Sequence, residues 1–333
     1  GEQISSQSAL NLESAIKSID YVQNSYQSLI NDKQLCEILG DEFTARMREW
    51  DGIITKRRKE PFSLVILGDF KRGKSTIINA ILGKQLAPVN AAPETFTINS
   101  ISYDDKPSVT AVLKNGKKKK LEKNDLVRDR LEELVETLPV PIDYIDVRDN
   151  AEILREIRIV DTPGLSDIND LDQQVQEYLI NADAVIYVAS ALLPFSESEQ
   201  MFLASHIQPQ KFSKIYVLVN MIDALNTRED IDKILDRVSS CCQQIVPNAV
   251  IYGISGIDEF RRKTEAPRSD LKGFQEYYET EFFKFERSLR RDIITQKDYL
   301  RVQRVLTMQE IMLNDTLTRV NMISEMTALD KQK

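Results

Sequence analysis

The stretch VILGDFKRGKSTIINAILG, residues 65–83, decides the fold of this chain. It opens with an apolar segment typical of a buried β-strand, passes through a glycine-containing loop and ends in a helical pattern. Inside it, Gly68 to Ser75 fit the spacing G-x-x-x-x-G-K-S, and Thr76 follows directly. A loop of this kind turns its backbone N–H groups toward a phosphate at the N-terminus of the following helix. The sequence therefore predicts a phosphate site between a strand and a helix.

The side chains around this loop predict that the phosphate belongs to a nucleotide bound with Mg²⁺. We expect Lys74 to neutralise the β- and γ-phosphates and the Ser75 hydroxyl to ligate the metal ion. A second motif, IRIVDTPGL, places Asp161 at the end of a predicted strand. Its carboxylate can hold Mg²⁺ through a water ligand, and the N–H of Gly164 can sense the γ-phosphate. Asp-Thr-Pro-Gly is also a good turn sequence, which is the purely structural alternative.

Two later segments predict which base the nucleotide carries. VLVNMID places Asn220 and Asp223 just after an apolar run. An aspartate there can accept hydrogen bonds from the N1–H and the exocyclic amine of guanine, which adenine does not offer. YGISGID follows the next apolar run and brings Ser255 and Gly256 toward the base. The predicted nucleotide-binding residues are Gly68, Asp69, Phe70, Lys71, Arg72, Gly73, Lys74, Ser75, Thr76, Asn220, Met221, Asp223, Ser255 and Gly256.

The rest of the chain predicts an α/β domain flanked by helices. Between residues 62 and 256, short apolar runs alternate with amphipathic stretches, which is the pattern of a mostly parallel sheet with helices on both faces. Asn115-Gly116 adds a β-hairpin. Apolar residues three or four apart predict two helices before the α/β domain and a long helix after it, packed together as a bundle. The predicted domains are N-terminal helices at 1–60, the α/β domain at 61–290 and a C-terminal helix at 291–333.

Composition limits the partners and the compartment. The chain has 333 residues and a formal net charge of -8, so we expect no nucleic-acid partner. Its three cysteines lack the spacing of zinc ligands or of a disulfide framework, which favours a reducing compartment. The longest apolar run, ADAVIYVASALLPF, is shorter than the ~20 residues that a membrane-spanning helix needs. We therefore expect no membrane span.

The ordered set GxxxxGKS, DTPG, NxxD and SG is similar to the G1, G3, G4 and G5 boxes of translation-factor-like GTPases. More specifically, residues 62–290 resemble the bacterial dynamin-like proteins, through GDFKRGKSTIINAILGKQLAPVNAAPETFT, VDTPGLSD and ADAVIYVASALLPFSESE. The resemblance implies a P-loop, dynamin-type GTPase domain whose flanking helices form a neck. By position, Thr95 is the switch threonine that completes the Mg²⁺ shell, and Thr97 is the nearby alternative.

This resemblance implies a mechanoenzyme that binds GTP, GDP and Mg²⁺ and remodels or fuses membranes. GTP binding is expected to pair copies across the nucleotide face, as a homodimer or higher homo-oligomer, and hydrolysis to release the pair and move the neck. The chain shows no lipid-binding paddle, so membrane lipid is expected to be reached through sequence outside this chain or through a partner protein. The implied location is cytoplasmic and peripheral to a membrane.

Three positions depart from the family pattern. Met221 stands where the guanine box usually has lysine, and Leu165 stands where Ras-like GTPases carry a water-positioning glutamine. Lys71 occupies the fourth position of the loop, where guanylate-binding proteins carry an arginine finger and dynamins a serine that helps to hold a monovalent cation. Either the Lys71 ammonium or such a cation is expected to supply charge to the transition state; alternatively, Lys71 and Arg72 are both solvated. The predicted catalytic residues are Lys74, Thr95, Lys71 and Gly164, and the predicted metal ligands are Ser75, Thr95 and Asp161.

Two other functions stay open on the sequence alone. One is a nucleotide-gated scaffold that binds GTP but barely hydrolyses it, which Met221 and the missing glutamine favour. The other is a regulatory GTPase of the Era or tRNA-modification type, which the acidic charge and the long flanking helices disfavour. Turnover that rises with protein concentration separates the mechanoenzyme from the scaffold. Binding to anionic liposomes rather than to structured RNA separates it from the RNA-linked GTPase.

Overall fold

The computed structural model describes residues 2–69, 71–87, 97–126, 128–163, 173–193, 195–270 and 272–333. These residues form two compact units, one comprising the chain up to Glu60 together with Lys297–Lys333, the other Pro61–Gln296. The second unit thus continues past residue 290, because a π-helical turn, Arg290–Ile294, extends its last helix. The helices are α1 (Glu2–Ile30), α2 (Lys33–Leu39), α3 (Asp41–Lys59), α4 (Lys74–Leu82), α5 (Arg128–Thr137), α6 (Gln173–Ile180), α7 (Glu197–Phe202), α8 (Arg228–Ile245), α9 (Gly256–Lys263), α10 (Gln275–Leu289) and α11 (Lys297–Gln332).

The unit Pro61–Gln296 is built on one sheet, which has nine strands within the described ranges. The strands are β1 (Ser63–Gly68), β2 (Ile98–Tyr103), β3 (Ser108–Leu113), β4 (Lys118–Leu121), β5 (Ile142–Asp149), β6 (Arg158–Asp161), β7 (Ala184–Ser190), β8 (Ile215–Asn220) and β9 (Ala249–Gly253). Their order across the sheet is β4-β3-β5-β2-β6-β1-β7-β8-β9. The five strands from β6 to β9 in this order are parallel, β2 runs antiparallel to β6 and parallel to β5, and β3 runs antiparallel to both its neighbours. The predicted mostly parallel α/β fold is confirmed.

The centre of the sheet follows from three apolar runs in the sequence. SLVILG, AVIYVAS and IYVLVN become β1, β7 and β8, and every residue of these strands is buried. Such continuous burial requires helices on both faces of a parallel sheet. Because β1, β6, β7 and β8 run in the same direction, the segments that leave their carboxyl ends emerge at one edge of the sheet.

The β4 edge of the sheet is a hairpin formed by β3 and β4, as the sequence predicted. The turn between β3 and β4 has Gly116 at φ 82, a left-handed conformation that glycine adopts without strain. In β4, Lys118, Lys119 and Lys120 are exposed and only Leu121 is buried. Lysines on an edge strand hinder pairing with the edges of other sheets, which accounts for the run KKKK without a binding role.

The other unit contains one more helix than the sequence predicted. The segment before residue 60 was expected to form two helices, but the second is divided into α2 and α3 at Gly40. Gly40 has φ 92, outside the helical region, so the helix cannot continue through it. Periodicity did not indicate the break, because Leu39 and Phe43 stay four residues apart and both are buried.

The two ends of the chain pack together, as predicted. Buried side chains of α1, such as Ile19 and Tyr26, lie in the same unit as buried Met312 of α11. Gln309 Nε2 donates to the carbonyl oxygen of Ile19 at 3.1 Å, and the Tyr26 hydroxyl lies 3.2 Å from the Thr316 hydroxyl. The N- and C-terminal helices therefore form one bundle. In the part of the chain that the structure describes, no helix combines the length and apolarity that crossing a membrane requires.

Candidate functional site

The G-x-x-x-x-G-K-S loop lies where the sequence predicted, between β1 and α4. Gly68 ends β1 and Lys74 begins α4. A Cβ atom at Gly68 would stand 2.8 Å from the carbonyl oxygen of Val188, inside van der Waals contact. Gly73 has φ 77, and a Cβ there would overlap Asn220 Nδ2. Both glycines are therefore required by the close approach of neighbouring strands to this loop.

The predicted phosphate and metal residues converge at the carboxyl ends of β1 and β6. Lys74 Nζ donates to Asp161 Oδ1 and to the carbonyl oxygen of Thr162. The Ser75 hydroxyl lies 3.5 Å from Asp161 Oδ2. Lys74 and Asp161 are both buried, so each charge is compensated by the other in a site that excludes most solvent.

A residue that the sequence did not single out also contacts this carboxylate. Asn99, on β2, lies with its Nδ2 3.4 Å from Asp161 Oδ2. Asn99 is buried, and its Oδ1 has no hydrogen-bond partner among the residues described. No signal in the sequence marked Asn99, because β2 reads INSISY and carries serines as well as isoleucines.

Arg72 is not solvated, which corrects one of the alternatives for the loop cations. Its guanidinium is buried and donates to Glu199 Oε1 through Nε at 3.2 Å and Nη2 at 2.9 Å. Asp69 Oδ2 lies 3.5 Å from the same Nη2. Burial raises the pKa of Glu199, against the lowering effect of its hydrogen bonds from Arg72. The Arg72 side chain thus joins the loop to α7, while Lys71 is exposed with φ 63.

Several predicted residues lie outside the described part of the chain. These are Phe70, Thr95, Gly164 and Leu165. Thr97, the alternative to Thr95, is described just before β2, and its Oγ1 is buried with no hydrogen-bond partner in the described ranges.

The side chain of Asn220, a predicted nucleotide-binding residue, forms hydrogen bonds with the protein backbone. Its Nδ2 donates to the carbonyl oxygen of Arg72 at 2.9 Å, and its Oδ1 accepts from the N–H of Gly256 at 3.0 Å. Asn220 therefore ties the phosphate loop to the start of α9 across the end of β8. Ser255 caps the same helix, its hydroxyl accepting from the N–H of Asp258 at 3.2 Å. The structure brings all three segments together through one amide side chain.

Asp223 and Met221 face different surroundings. Asp223 Oδ1 is buried and has no hydrogen-bond partner among the described residues, so it is poised to accept from a ligand. Met221 has φ 69, and its Sδ lies 3.5 Å from the Ser190 hydroxyl. Its methyl group lies beside Gly73 of the phosphate loop. Met221 thus packs between loop and sheet, as a lysine stem could, but brings no charge.

Asp223 lines a cleft whose other wall the sequence did not predict. The cleft is also lined by Lys272, between α9 and α10, by Tyr278 of α10 and by Ile257 of α9. Burial raises the pKa of Tyr278 to about 12, and the carboxylates of Asp223 and Asp258 add to the rise. The phenol therefore stays protonated at neutral pH. No sequence motif marks Lys272, because its distance along the chain from Asp223 carries no pattern.

Comparisons with known proteins show which proteins the chain is similar to. Residues 64–221 match the model of the dynamin family. A protein from the xynA 3′ region of Caldicellulosiruptor sp. (strain Rt8B.4) is 29% identical over 224 residues, 64% of this chain and 53% of that protein. The bacterial dynamin-like protein of Nostoc punctiforme is 26% identical over 284 residues, 77% of this chain and 40% of that protein. The chain thus spans about half, or less, of the length of these relatives.

A solved structure of an oligomerised bacterial dynamin pair has the same fold. It superposes with a TM-score of 0.55 at 16% identity, over 97% of this chain and 58% of that chain. The match to the dynamin family at residues 64–221 and the sequence relatives make this chain similar to the bacterial dynamin-like GTPases.

Proposed function

We propose that this chain binds GTP with Mg²⁺ at the carboxyl edge of its sheet and hydrolyses it to GDP and phosphate. The observation that carries the proposal is the convergence of Lys74, Ser75 and Asp161 beside the glycine loop. Asp223, after parallel strand β8, offers an unpartnered carboxylate oxygen at the same edge. A carboxylate in that position selects guanine because it can accept from two adjacent donors on the base.

The residues present fit a magnesium ion. A hydroxyl and a carboxylate are hard oxygen ligands, and the Asp161 carboxylate lies within 3.5 Å of the Ser75 hydroxyl. Bound there, Mg²⁺ would neutralise charge on the phosphate oxygens. Asn99 would orient the Asp161 carboxylate from behind. Thr95 is proposed as the further ligand, with Thr97 as the alternative.

Nucleotide binding requires Lys74 and Asp161 to exchange partners. In this structure the Lys74 ammonium neutralises Asp161 and also bonds the carbonyl oxygen of Thr162. With GTP present, the ammonium would turn to the phosphate oxygens and the carboxylate to the metal's ligand shell, so both buried charges stay compensated. The exchange frees the backbone at Thr162, which leads to Gly164. We propose this as the step that couples nucleotide state to that segment.

Lys71 is the proposed source of catalytic charge from the loop. Arg72 is engaged with Glu199, whereas Lys71 is exposed at the fourth loop position. A positive charge placed on the transferring phosphoryl group lowers the barrier strongly. A bound monovalent cation is the alternative source. If Lys71→Ala keeps wild-type turnover at every protein concentration, Lys71 has no catalytic role.

We further propose that copies of the chain pair across the nucleotide face. Leu192, Leu193 and Met201 are 55%, 49% and 61% exposed on the segment after β7 and on α7. Met201 lies on α7, the helix of Glu199, which is the partner of Arg72 in the phosphate loop. Exposed apolar groups grouped beside a ligand site suit an interface. The solved relative is described as an oligomerised pair that senses and tethers membranes.

Pairing of two copies, followed by hydrolysis and release, would move the helical bundle. We propose that the unit Pro61–Gln296 is the dynamin-type GTPase domain and that residues 1–60 with 297–333 are its neck. The proposed setting is the cytoplasmic surface of a membrane, reached through sequence beyond this chain or through a partner, and the proposed task is remodelling or fusion.

Phosphate release with GTP and with ATP tests the enzymatic part of this proposal. Lys74→Met removes the loop ammonium beside Asp161 and should abolish turnover, because that charge is the one proposed to neutralise the phosphates. Lys284→Met is the matched control, since Lys284 pairs only with Glu281 on the surface of α10 in the interactions described. Release from GTP in the wild type and control, with none from ATP, supports the proposal. Equal use of both nucleotides contradicts it.

A further inference from the structure

The segment VLVNMID has Met221 where the guanine box usually has lysine, and the structure shows a different lysine at the same turn. Met221 replaces that lysine and packs against Ser190 and the phosphate loop without charge. Lys272 Nζ donates to the carbonyl oxygen of Asp223 at 2.9 Å and to that of Leu225 at 2.7 Å. One ammonium therefore bonds a carbonyl oxygen in the middle of the turn Ile222–Ala224, which presents the Asp223 side chain, and one just after it.

This arrangement bears directly on the Asp223 carboxylate. The turn Ile222–Ala224 is a single 3₁₀ turn, which has little rigidity of its own. The charge-assisted hydrogen bonds from Lys272 to the carbonyl oxygens of Asp223 and of Leu225, the next residue after the turn, fix it more firmly than neutral bonds can. The carboxylate has Oδ1 buried without a partner in the described ranges, so its position decides whether it meets a ligand's donors.

Lys272 also lines the cleft that Asp223 faces. Tyr278 and Ile257 form other parts of that lining. Asp258 is held by two hydrogen bonds from Arg268, at 3.1 and 2.8 Å, and the cations that line the cleft itself are Lys272 and Arg261. A lysine stem on such a cleft supplies apolar surface to a flat ring while its ammonium bonds elsewhere.

We propose that Lys272 is a specificity-determining residue of the guanine pocket, which positions Asp223 against the N1–H and the 2-amino group of the base. It acts through the Asp223 turn and so is a positioning residue rather than a catalytic one. The inference rests on the proposed binding of guanine nucleotides at this site.

Competition binding of GDP and IDP against a fluorescent GDP derivative tests this role in the full chain. IDP lacks the 2-amino group, so the ratio of the two affinities reports how well Asp223 reads that group. Lys272→Met keeps the stem and removes the donors, and should weaken GDP binding about tenfold while reducing the GDP-over-IDP preference several-fold. Lys272→Arg keeps charged donors and should restore most of the preference. Lys284→Met, on the surface of α10, should match the wild type.

The outcomes separate the two claims. Wild-type affinities in Lys272→Met, or an equal loss for GDP and IDP, would overturn the role of Lys272 while leaving guanine binding intact. Failure of the wild-type chain to prefer GDP over ADP would instead overturn the proposed function itself. Melting curves of the variants show whether each is folded, and a folded Lys272→Met with reduced preference supports the inference.

Discussion

Replacing Asn220 by alanine tests whether this residue reads the base or joins the loops around it. The structure gives its amide two backbone partners, the carbonyl oxygen of Arg72 at 2.9 Å and the N–H of Gly256 at 3.0 Å. Asn220 is buried, so its removal leaves both groups without a partner. An unsatisfied buried group costs about 1–3 kcal/mol, and we expect Asn220→Ala to lower the free energy of unfolding by about 2–6 kcal/mol.

Urea unfolding followed by circular dichroism measures the first effect, and nucleotide competition the second. Because Asn220 fixes the loops and not the base, Asn220→Ala should weaken GDP and IDP by the same factor. Asp223→Asn should instead act mainly on GDP, since the Asp223 carboxylate is the group proposed to accept from the 2-amino group that IDP lacks. Asn248→Ala is the matched control. Its Nδ2 donates once, to the carbonyl oxygen of Phe212 at 2.8 Å, so it should cost about 1 kcal/mol and leave binding unchanged.

The reasoning on Asn220 has a clear contrary result. An Asn220→Ala variant with wild-type unfolding free energy and a selective loss of GDP over IDP would refute it. That pattern belongs to a residue whose amide contacts the base directly. The same experiment therefore tests whether Asn220 supports the surrounding loops while Asp223 recognises the base.

Three further predictions follow from the same contacts. The pKa of Glu199 is raised in the folded state, so Glu199 contributes stability below its usual pKa of 4.5, and this contribution is lost as pH rises through the higher folded pKa. The free energy of unfolding of the wild type, relative to that of Glu199→Gln, should therefore fall over that pH range. A rise would contradict the assignment. Asn99→Leu should raise the Mg²⁺ concentration for half-maximal turnover roughly tenfold, because Asp161, the proposed metal ligand, would lose a hydrogen-bond donor. An unchanged Mg²⁺ dependence would show that Asn99 does not support metal binding. Leu193→Ser should weaken GTP-dependent self-association measured by sedimentation, whereas Phe283→Ser, on α10 and even more exposed (64% against 49%), should not; equal loss in both would argue against the nucleotide face.

Local patterns made the fold and the phosphate loop predictable from the sequence. β1, β7 and β8 are continuous apolar runs, and each became a fully buried strand. The residues of the loop motif lie within eight positions of one another, from Gly68 to Ser75, so its place in the fold could be predicted from sequence spacing. The break at Gly40 was missed because a single glycine does not disturb the apolar spacing around it.

The roles of individual site residues depended on contacts that sequence spacing does not encode. Arg72 meets Glu199 across 127 positions, and Asn220 meets Arg72 across 148. A charged loop residue and a base-segment asparagine were therefore both expected to face solvent or ligand. Lys272 contacts the Asp223 turn from 49 positions away in a segment without a motif. Only the folded sheet, which gathers the carboxyl ends of β1, β6 and β8, reveals these partners.

The specific rate of GTP hydrolysis as a function of protein concentration tests the central claim most directly. A self-pairing GTPase completes its site on association, so phosphate release per molecule should climb with concentration in the wild type and stay low and flat in Leu193→Ser. ATP should give no release at any concentration. A flat, negligible wild-type rate despite tight GTP binding would contradict the account and identify the chain as a nucleotide-gated scaffold.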